Sequence, residues 1–538
     1  MGNPEALHFD LVERDWIPVR LLDGRQVEVG IGEVLRRAHE IVGLDVGFPT
    51  QEPPILRLLL AVLYRALEGP TNDASWSALW SAEELPKEPI DAYLERWRHR
   101  FDLLDSKAPF FQVADLEATS GEGGERPAGN LISYAATGNN VPLFMPVVEA
   151  MGIRLSAPEA ARWVLERHAW GTTADRGGAR GNPLVNAGGK DVPPIGHLGW
   201  IGFTAPLGAT LRETLLLNLI PWSHSGLILT GPYDLPAWER APVSASHEKR
   251  PPTGVCDLYT WQGRRIRLFA EQGADGEPAI TGVLICAGDA VLRDAVQGVE
   301  PQTAWRRQTS PGKSIEYTPL HHQPARQVWR GLAPMLSLDE PKLRAGVLSW
   351  LGTLEDEGTL DVSTTVSLLV VGLKYGQQSA LVEDLITDRL ETPVALLRAN
   401  DPSAAQVAID GVALAAEAAR QLGKITNIAF MGPDAKVPRE GPKAKSAKAA
   451  QLIVAEDLYG TLDAPFRKFL LDLGGADDPD TLRPSWATEV RLHTETAARR
   501  LMAGIPTQQV FVGAQAERWF RAGLYKALQQ MSPKEEEQ

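Results

Sequence analysis

Hydrophobic and polar residues follow two different patterns along the chain, and the change falls near Pro393. Before that residue, short apolar runs alternate with stretches rich in glycine and proline, which predicts strands and helices joined by long loops. After it, apolar residues recur at intervals of three and four, as in Ala415, Ala418 and Leu422. Because this spacing places them on one face of a helix, the C-terminal part is expected to form a helical bundle.

Several elements have ends that the sequence marks. Asp23-Gly24 lies between two strand-like runs and predicts a hairpin. Pro53 and Pro54 suit the first turn of an apolar helix that ends near Leu67. Further helices are expected over 31–41, 90–100 and 157–170, a helix or strand over 211–221, a strand meander over 256–287, a strand over 366–376, and C-terminal helices over 404–422, 447–458, 465–473, 486–502 and 514–530.

The stretch 171–199 contains eight glycines and three prolines and offers almost nothing to a hydrophobic core. A nucleotide-binding P-loop is excluded, because Asp191 follows the Gly-Lys pair and Leu184 stands where the first glycine is required. Two interpretations are open, a cradle for an anion and a plain surface loop. A cradle would use the three basic residues of the stretch, which are Arg176, Arg180 and Lys190.

Length and composition narrow the class of protein. The 538 residues exceed what one hydrophobic core supports, so two or three domains are expected. Only two cysteines, Cys256 and Cys286, are present, which suits a reducing compartment. We see no signal peptide and no long apolar run, and we expect a cytoplasmic protein that does not contact membranes. A net charge of −14 argues against indiscriminate coating of nucleic acid but is compatible with local basic patches.

One segment, 303–331, interleaves basic and aromatic residues. Contact with phosphates together with stacking on bases would suit this composition, and so would an ordinary solvated surface. The basic, proline-containing segment 436–448 has the same two interpretations. The basic and aromatic residues of the first segment are Trp305, Arg306, Arg307, Lys313, Tyr317, His321, His322, Arg326, Trp329 and Arg330.

Catalytic signatures are absent from the sequence. Neither His39 nor His247, each followed by a glutamate, has the second histidine of an HExxH metal site. No histidine precedes an aspartate, and the serines of PWSHSG lack the glycines of a nucleophile elbow. The pair His321-His322 has no acidic or cysteine ligand nearby, so a metal-dependent hydrolase is a minor alternative. We therefore expect a protein that is not an enzyme and that has neither a bound metal nor a cofactor.

Several motifs, spread in order over nearly the whole chain, resemble those of one protein family, the CasA large subunits of type I-E CRISPR surveillance complexes (Cascade). None of these motifs is catalytic, so the resemblance rests on their number and their order. They are DWIPVRLLDG at 15–24, PTQEPPILRLLLAVLYRAL at 49–67, ATGNNVPLF at 136–144, LRETLLLNLIPW at 211–222, CDLYTWQGRRIRL at 256–268, TAWRR at 303–307, WRGL at 329–332 and YGQQS at 375–379.

The resemblance implies an α+β fold, with a large mixed α/β domain over 1–392 that carries the DNA-recognition loops and a four-helix bundle over 393–538. It implies a non-catalytic subunit that works in antiviral defence with the other Cascade subunits and CRISPR RNA. Such a subunit recognises the protospacer-adjacent motif (PAM) in double-stranded target DNA, assists duplex opening and recruits a helicase-nuclease. A purely structural scaffold subunit that binds only proteins is the alternative.

The resemblance also implies roles for individual residues. A glycine loop that reads the motif falls on 174–182, and its backbone would approach a minor groove that rejects bulky side chains. A hairpin finger and a glutamine wedge, which parts the strands, would converge on the same base pairs. The residues implied are Arg176, Gly177, Gly178, Ala179 and Arg180 in the loop, Lys313 on the finger with Arg306 and Arg307 as rivals, Gln378 or Gln377 as the wedge, and Asn139 and Asn140 in a further DNA- and RNA-contacting loop.

The sequence departs from the family pattern in two places. Some members carry a cysteine cluster ahead of the finger, whereas only Cys256 and Cys286 stand in that region here, so no zinc is expected. The glycine loop is also less purely glycine, because Arg176, Ala179 and Arg180 interrupt it, which leaves the preferred motif open. Without DNA we expect this loop to be poorly ordered.

Overall fold

The computed structural model describes residues 7–119, 124–134, 152–224, 226–227, 230, 233–308, 316–322, 326–336, 343–431, 441–503, 510–529 and 531. The chain divides by its internal contacts into two compact units. The first comprises Met1–Pro324, Ala345–Trp350 and Leu368–Asp388, and the second comprises Ala325–Arg344, Leu351–Ser367 and Arg389–Gln538. The domain boundary expected between 392 and 393 stays a prediction, because a division by contacts does not identify domains that fold independently.

The first unit mixes short helices and strands. Up to residue 319 its elements are β1 (Ile17–Leu21), β2 (Gln26–Val29), α1 (Ile31–Arg36), β3 (Ile41–Leu44), α2 (Glu52–Ala66), α3 (Asp73–Ser81), α4 (Lys87–Trp97), β4 (Arg126–Pro127), β5 (Leu155–Ser156), α5 (Ala157–Trp170), α6 (His197–Ile201), β6 (Phe203–Leu207), α7 (Leu211–Asn218), β7 (Lys249–Arg250), α8 (Val255–Tyr259), β8 (Arg264–Gln272), β9 (Pro278–Ala287), β10 (Ala290–Val291), β11 (Trp305–Gln308) and β12 (Glu316–Pro319).

The remaining elements include the long C-terminal helices. They are α9 (Leu332–Leu336), α10 (Gly346–Asp356), β13 (Thr365–Tyr375), β14 (Val382–Pro393), α11 (Ser403–Met431), α12 (Pro442–Gly474), α13 (Arg483–Ala503) and α14 (Val510–Gln529). Among the residues placed by the structure, no helix is both long enough and apolar enough to cross a membrane.

Strand β9 is the central strand of the largest sheet. It pairs antiparallel with β8 from Ala287, opposite Arg264, to Pro278, opposite Gln272. The short strands β4 and β5 pair with its other edge. Two three-stranded sheets have the orders β2-β1-β3 and β14-β13-β6, and β11-β12 and β7-β10 form two-stranded pairs. The predicted hairpin at Asp23-Gly24 is present as β1 and β2.

Helix α2 lies in the core of the first unit, as its apolar sequence predicts, and residues 52–64 are all buried. Two charged residues of the helix, Glu52 and Arg57, are buried with it, and Arg57 lies deepest. The Arg57 guanidinium donates to Glu300 Oε1 at 2.7 Å and to Gln302 Oε1 at 2.9 Å, and it lies against the ring of Tyr259. A buried charge is tolerated when it is paired and hydrogen-bonded in this way.

Several predicted element ends were wrong. The helix expected over 31–41 ends at Arg36, because the chain then turns and pairs as β3 with β1. Residues 256–259, expected as the start of the strand meander, lie in helix α8, so the strand begins only at Arg264. Helix α3 was missed, although Asn72 and Ser75 form a capping box in which each side chain accepts the other residue's backbone N–H.

The C-terminal helices α11 to α14 form the predicted bundle, in which α11 contacts each of the other three. The helices expected over 447–458 and 465–473 are parts of one helix, because α12 continues through Pro465. A proline at this position removes one N–H donor without ending the helix. Aromatic rings fill the bundle interior, where Phe469 stacks on Trp486 with ring centroids 5.2 Å apart. The α+β fold class with a four-helix C-terminal bundle is therefore confirmed.

Candidate nucleic-acid interface

The glycine-rich stretch begins where α5 ends. Ser156 and Glu159 form a capping box at the start of α5, and the helix runs to Trp170, as predicted. Gly171 then donates its N–H to the Arg167 carbonyl at 3.0 Å. A Cβ atom at Gly171 would lie 2.6 Å from that carbonyl oxygen and 2.8 Å from the Arg264 guanidinium. Only glycine fits this position, because the chain and a buried arginine approach it so closely.

Asp175 is the buried anchor of the loop. Its carboxylate pairs with the guanidinium of Arg167 and accepts a 2.9 Å hydrogen bond from Arg264 Nε. Burial alone would raise the pKa of Asp175, but the charges of Arg167 and Arg264 outweigh this effect and lower it. The carboxylate therefore stays ionised inside the protein.

Arg264 connects both ends of the loop to strand β8. Its Nη2 donates to the carbonyl of Thr172 at 2.8 Å and to that of Pro194 at 3.0 Å, and its side chain is fully buried. The backbone N–H of Arg264 donates to His168 Nδ1, so the His168 proton lies on Nε2, which donates to the Phe111 carbonyl at 2.8 Å. Burial lowers the pKa of His168 to about 3, and its ring is neutral at physiological pH.

The middle of the loop packs against residues 117–119. Thr119 donates its N–H to the Gly178 carbonyl at 2.9 Å, and Arg180 donates its N–H to the Glu117 carbonyl at 2.8 Å. A Cβ atom at Gly178 would lie 2.5 Å from the Gly189 carbonyl oxygen, so the absence of a side chain there has a packing reason. Ala179 is buried in a small apolar cluster that also contains Val113, Leu116, Leu284 and Cys286.

Arg176 and Arg180 are the exposed residues among those implied for this loop, whereas Gly177 is half-buried and Gly178 and Ala179 are buried. The Arg180 guanidinium pairs with Glu117 at 2.9 Å on the surface. Farther along, Asp191 contacts His247 Nε2 at 2.5 Å. These contacts hold the loop at many points, which argues against the expectation that it is poorly ordered in the isolated chain.

The glutamine turn, residues 376–380, lies against the start of the glycine loop. It follows β13, whose last residue, Tyr375, donates its hydroxyl to the Trp170 carbonyl at 2.6 Å. Thr173, the residue directly before the glycine loop, donates its hydroxyl to the Gln378 carbonyl at 2.7 Å and its N–H to the Ser379 carbonyl at 3.0 Å. Gln378 itself is exposed, as is Gln377, so both candidate wedge side chains reach solvent beside the loop.

The hairpin implied for the finger has its two strands in place. Strands β11 and β12 pair antiparallel, with Arg306 opposite Thr318 and Arg307 opposite Tyr317. Both arginines are exposed, and Arg306 Nε donates to Thr318 Oγ1 at 3.1 Å. Lys313 falls between these strands but lies outside the described residues, as do Asn139 and Asn140.

An aromatic contact joins the base of this hairpin to the end of the glycine-rich stretch. Trp305 of β11 is buried and meets Trp200 of α6 edge to face, with ring centroids 6.5 Å apart. The guanidinium of Arg293 also lies over the Trp200 ring, 4.9 Å from its centroid. The hairpin base therefore lies beside the C-terminal end of the glycine-rich stretch, and the glutamine turn lies beside its N-terminal end, both within the first unit.

Metal ligation and thiol chemistry find no support at these positions. Among the residues that the structure describes, which include His321 and His322, no three histidine, cysteine or acidic residues are grouped to hold a metal ion. Cys256 and Cys286 are buried free thiols, and burial raises the pKa of both. The anchors Asp175, Arg264 and Thr173 were missed by sequence reasoning. An isolated acid among basic residues was the available signal for Asp175.

Known proteins match this chain over most of its length. The family model described as CRISPR-associated protein Cse1 matches residues 10–497. A CRISPR-associated protein CasA/Cse1 from Thermus thermophilus is 34% identical over 394 residues, which are 71% of this chain and 70% of the relative. The crystal structure of Cse1 from Acidimicrobium ferrooxidans is 46% identical and superposes with a TM-score of 0.88, over 99% of this chain and 100% of that one.

A second solved structure shares the fold at lower identity. It is titled a CRISPR RNA-guided surveillance complex, and its chain superposes with a TM-score of 0.71 at 18% identity, over 96% of this chain and 100% of that one. The match of the family model and the identity with the Thermus protein together cover far more than half of the sequence. The chain belongs to the CRISPR-associated Cse1 family.

Proposed function

We propose that this protein is the non-catalytic large subunit of a type I-E CRISPR RNA-guided surveillance complex in the cytoplasm. In this role it binds the other Cascade subunits and CRISPR RNA, recognises the protospacer-adjacent motif in double-stranded target DNA, assists duplex opening and recruits the helicase-nuclease. Membership of the Cse1 family supports the assignment to such a complex. The absence of a catalytic signature in the sequence supports the non-catalytic role.

One observation carries the DNA-recognition part of the proposal. Thr173, directly before the glycine loop, is hydrogen-bonded to the glutamine turn. A residue that reads a base pair and a residue that parts the next one must lie within a few ångströms of each other along a duplex. The two segments are far apart in sequence, and the fold brings them to hydrogen-bonding distance. Gln377 and Gln378 are exposed at this contact, as an inserted wedge requires.

Charge on the loop and on the hairpin suits a nucleic acid. Arg176 and Arg180 on the loop and Arg306 and Arg307 on the hairpin are all exposed, in a chain whose net charge is −14. Basic side chains position a duplex through its phosphates. Gly178 and Ala179 are buried, so the backbone that approaches the minor groove is that of Arg176 and Gly177. Lys313, Asn139 and Asn140, which lie outside the described residues, are proposed as further contacts on the strength of the family resemblance. The arrangement needs no metal or cofactor.

The test uses the reconstituted complex with single substitutions Lys313→Ala and Gln378→Ala. We expect each to weaken binding of a target duplex about tenfold or more while leaving subunit assembly unchanged, because each removes a contact made only with DNA. Arg306→Ala and Arg307→Ala, measured in parallel, identify the finger residue by the largest loss.

The purely structural scaffold alternative makes the opposite forecast. If the substitutions leave target binding unchanged, or reduce it only in proportion to failed assembly, the protein contacts proteins alone and the recognition proposal is wrong. Metal analysis of the purified protein separately tests the hydrolase alternative, which requires stoichiometric metal at His321 and His322.

A further inference from the structure

The glutamine turn contains two residues in an unfavourable backbone conformation. Gln378 has φ 55° and ψ 17°, and Ser379 has φ 56°, so two successive non-glycine residues are left-handed. Such residues crowd their Cβ atom against the backbone and persist only where surrounding contacts hold them. The conformation of the turn therefore depends on its neighbours.

Thr173 supplies contacts to both strained residues. Its hydroxyl donates to the Gln378 carbonyl at 2.7 Å, and its backbone N–H donates to the Ser379 carbonyl at 3.0 Å. Within the turn, the Ser379 N–H also donates to the Gly376 carbonyl at 2.9 Å. Thr173 thus donates hydrogen bonds to the carbonyls of both left-handed residues.

Thr173 is itself held on both sides. The residue before it, Thr172, accepts a hydrogen bond at its carbonyl from the buried Arg264, and the carbonyl of Thr173 accepts one at 3.1 Å from the exposed Arg176. Arg176 is one of the residues proposed to contact DNA. The hydrogen bonds therefore run from an exposed loop arginine, through Thr173, to the backbone of the proposed wedge.

We propose that Thr173 is a positioning residue that locks the glutamine turn in its left-handed conformation and so aims Gln378 at the duplex. This inference rests on the proposed function, in which Gln378 parts the strands. Thr173 contacts the Gln378 backbone and acts through that residue. The Thr173 hydroxyl therefore contributes to binding of a target whose strands must still be parted, and it does not contribute to binding of a target whose strands are already separated.

The experiment uses the reconstituted complex and two targets, one a fully paired duplex and the other unpaired next to the motif. Thr173→Val keeps the shape of the side chain and removes the hydroxyl, whereas Thr173→Ser is the matched control that keeps it. We expect Thr173→Val to weaken binding of the paired target by about tenfold, the effect of one lost hydrogen bond, and to leave the unpaired target within about twofold. Thr173→Ser should bind both targets like the unsubstituted protein.

A second substitution tests the conformational explanation. Glycine adopts a positive φ without strain, so Ser379→Gly should restore binding of the paired target when it is combined with Thr173→Val. If the double variant stays as weak as Thr173→Val alone, the lock is not conformational and the inference is wrong. An equal loss of binding to both targets in Thr173→Val would mean general damage to the fold and would also overturn it.

Gln378→Ala separates this inference from the proposed function. Suppose that Gln378→Ala loses binding of the paired target alone, while Thr173→Val binds both targets normally. This result supports Gln378 as the wedge and refutes the role of Thr173. If Gln378→Ala binds both targets normally, the wedge itself is refuted, and the inference falls with it.

Discussion

Gly178 is a glycine for a reason internal to the protein. Its Cβ position lies within 3 Å of the Gly189 carbonyl oxygen, Val185 Cγ1 and Thr119 Oγ1. We expect Gly178→Ala to lower the free energy of unfolding by about 1–3 kcal/mol, as overpacking of a tight site does. Chemical denaturation of the isolated chain measures this change.

Gly298→Ala is the matched control for that substitution. A Cβ atom at Gly298 meets nothing within 4 Å, and a substitution in open space changes stability by no more than about 0.5 kcal/mol. Equal effects of the two substitutions would show that Gly178 is not packed as described.

Glu166 is the titratable group of α5 whose state changes near neutral pH. Its side chain is fully buried, and this burial raises its pKa to about 7 although Ser133 Oγ donates to it at 2.6 Å. As the pH rises from about 4.5 to 7, the unfolded chain loses this proton while the folded chain keeps it, so the folded state loses stability. Above pH 7 the loss is complete and amounts to about 3 kcal/mol at most.

The consequence is testable with Glu166→Gln, which cannot ionise. The melting temperature of the variant minus that of the unsubstituted chain should become more positive between pH 5 and pH 8. A difference that stays constant over this range would contradict the assignment of a buried carboxyl with a raised pKa.

Among the helices, two glycines of the C-terminal bundle predict opposite effects. Gly460 is exposed on α12 with open space at its Cβ position, so Gly460→Ala should stabilise the protein by about 1 kcal/mol through helix propensity. Gly411 is buried on α11, where a Cβ atom would lie 3.0 Å from the Phe469 ring and 3.1 Å from Trp486 Nε1.

Gly411→Ala should therefore destabilise the bundle by about 1–3 kcal/mol. Thermal unfolding followed by the helical circular-dichroism signal compares the two variants directly. Stabilisation by both substitutions would mean that α11 does not pack against Phe469 and Trp486 in this way.

The elements themselves were predictable where local signals and burial agree. Helices α2 and α5 were predicted nearly to the residue. Pro53 and Pro54 mark the first turn of α2, and α5 is one uninterrupted run with apolar residues along one face. Helix α12 was predicted as two, because Pro465 reads as a break, yet the helix continues through it. Packing within the bundle outweighs the single lost hydrogen bond, and no local pattern reveals that.

The candidate site was predictable only in outline. The glycine loop is conspicuous in composition, and the roles of Gln378 and Lys313 came from the family resemblance. The ion pair between Asp175 and Arg264 spans 89 residues, and the contact from Thr173 to Gln378 spans 205. Such pairings are set by tertiary structure, so a single sequence gives no sign of which residues will meet.

For the chain as a whole, the net charge predicts that the isolated protein binds DNA weakly. The net charge of −14 repels a polyanion, and the exposed arginines of the interface are few. We expect the isolated chain to bind duplex DNA with a dissociation constant above about 1 µM at physiological salt, and more weakly as salt increases. Nanomolar binding by the isolated chain in the same buffer would contradict this expectation and would favour a protein that binds DNA by itself.

The construction of the glycine loop separates the residues that support it from the residues that it exposes. The path of the loop is fixed by Asp175, Arg264 and the backbone of residues 117–119, whereas Arg176 and Arg180 project from that path. Mutations at these two positions leave the contacts of Asp175 and Arg264 in place, although they remove the bond from Arg176 to the Thr173 carbonyl and the pair between Arg180 and Glu117. Under the proposed function, a library at Arg176 and Arg180 would therefore change the side chains that face the duplex while Asp175 and Arg264 keep the path of the loop.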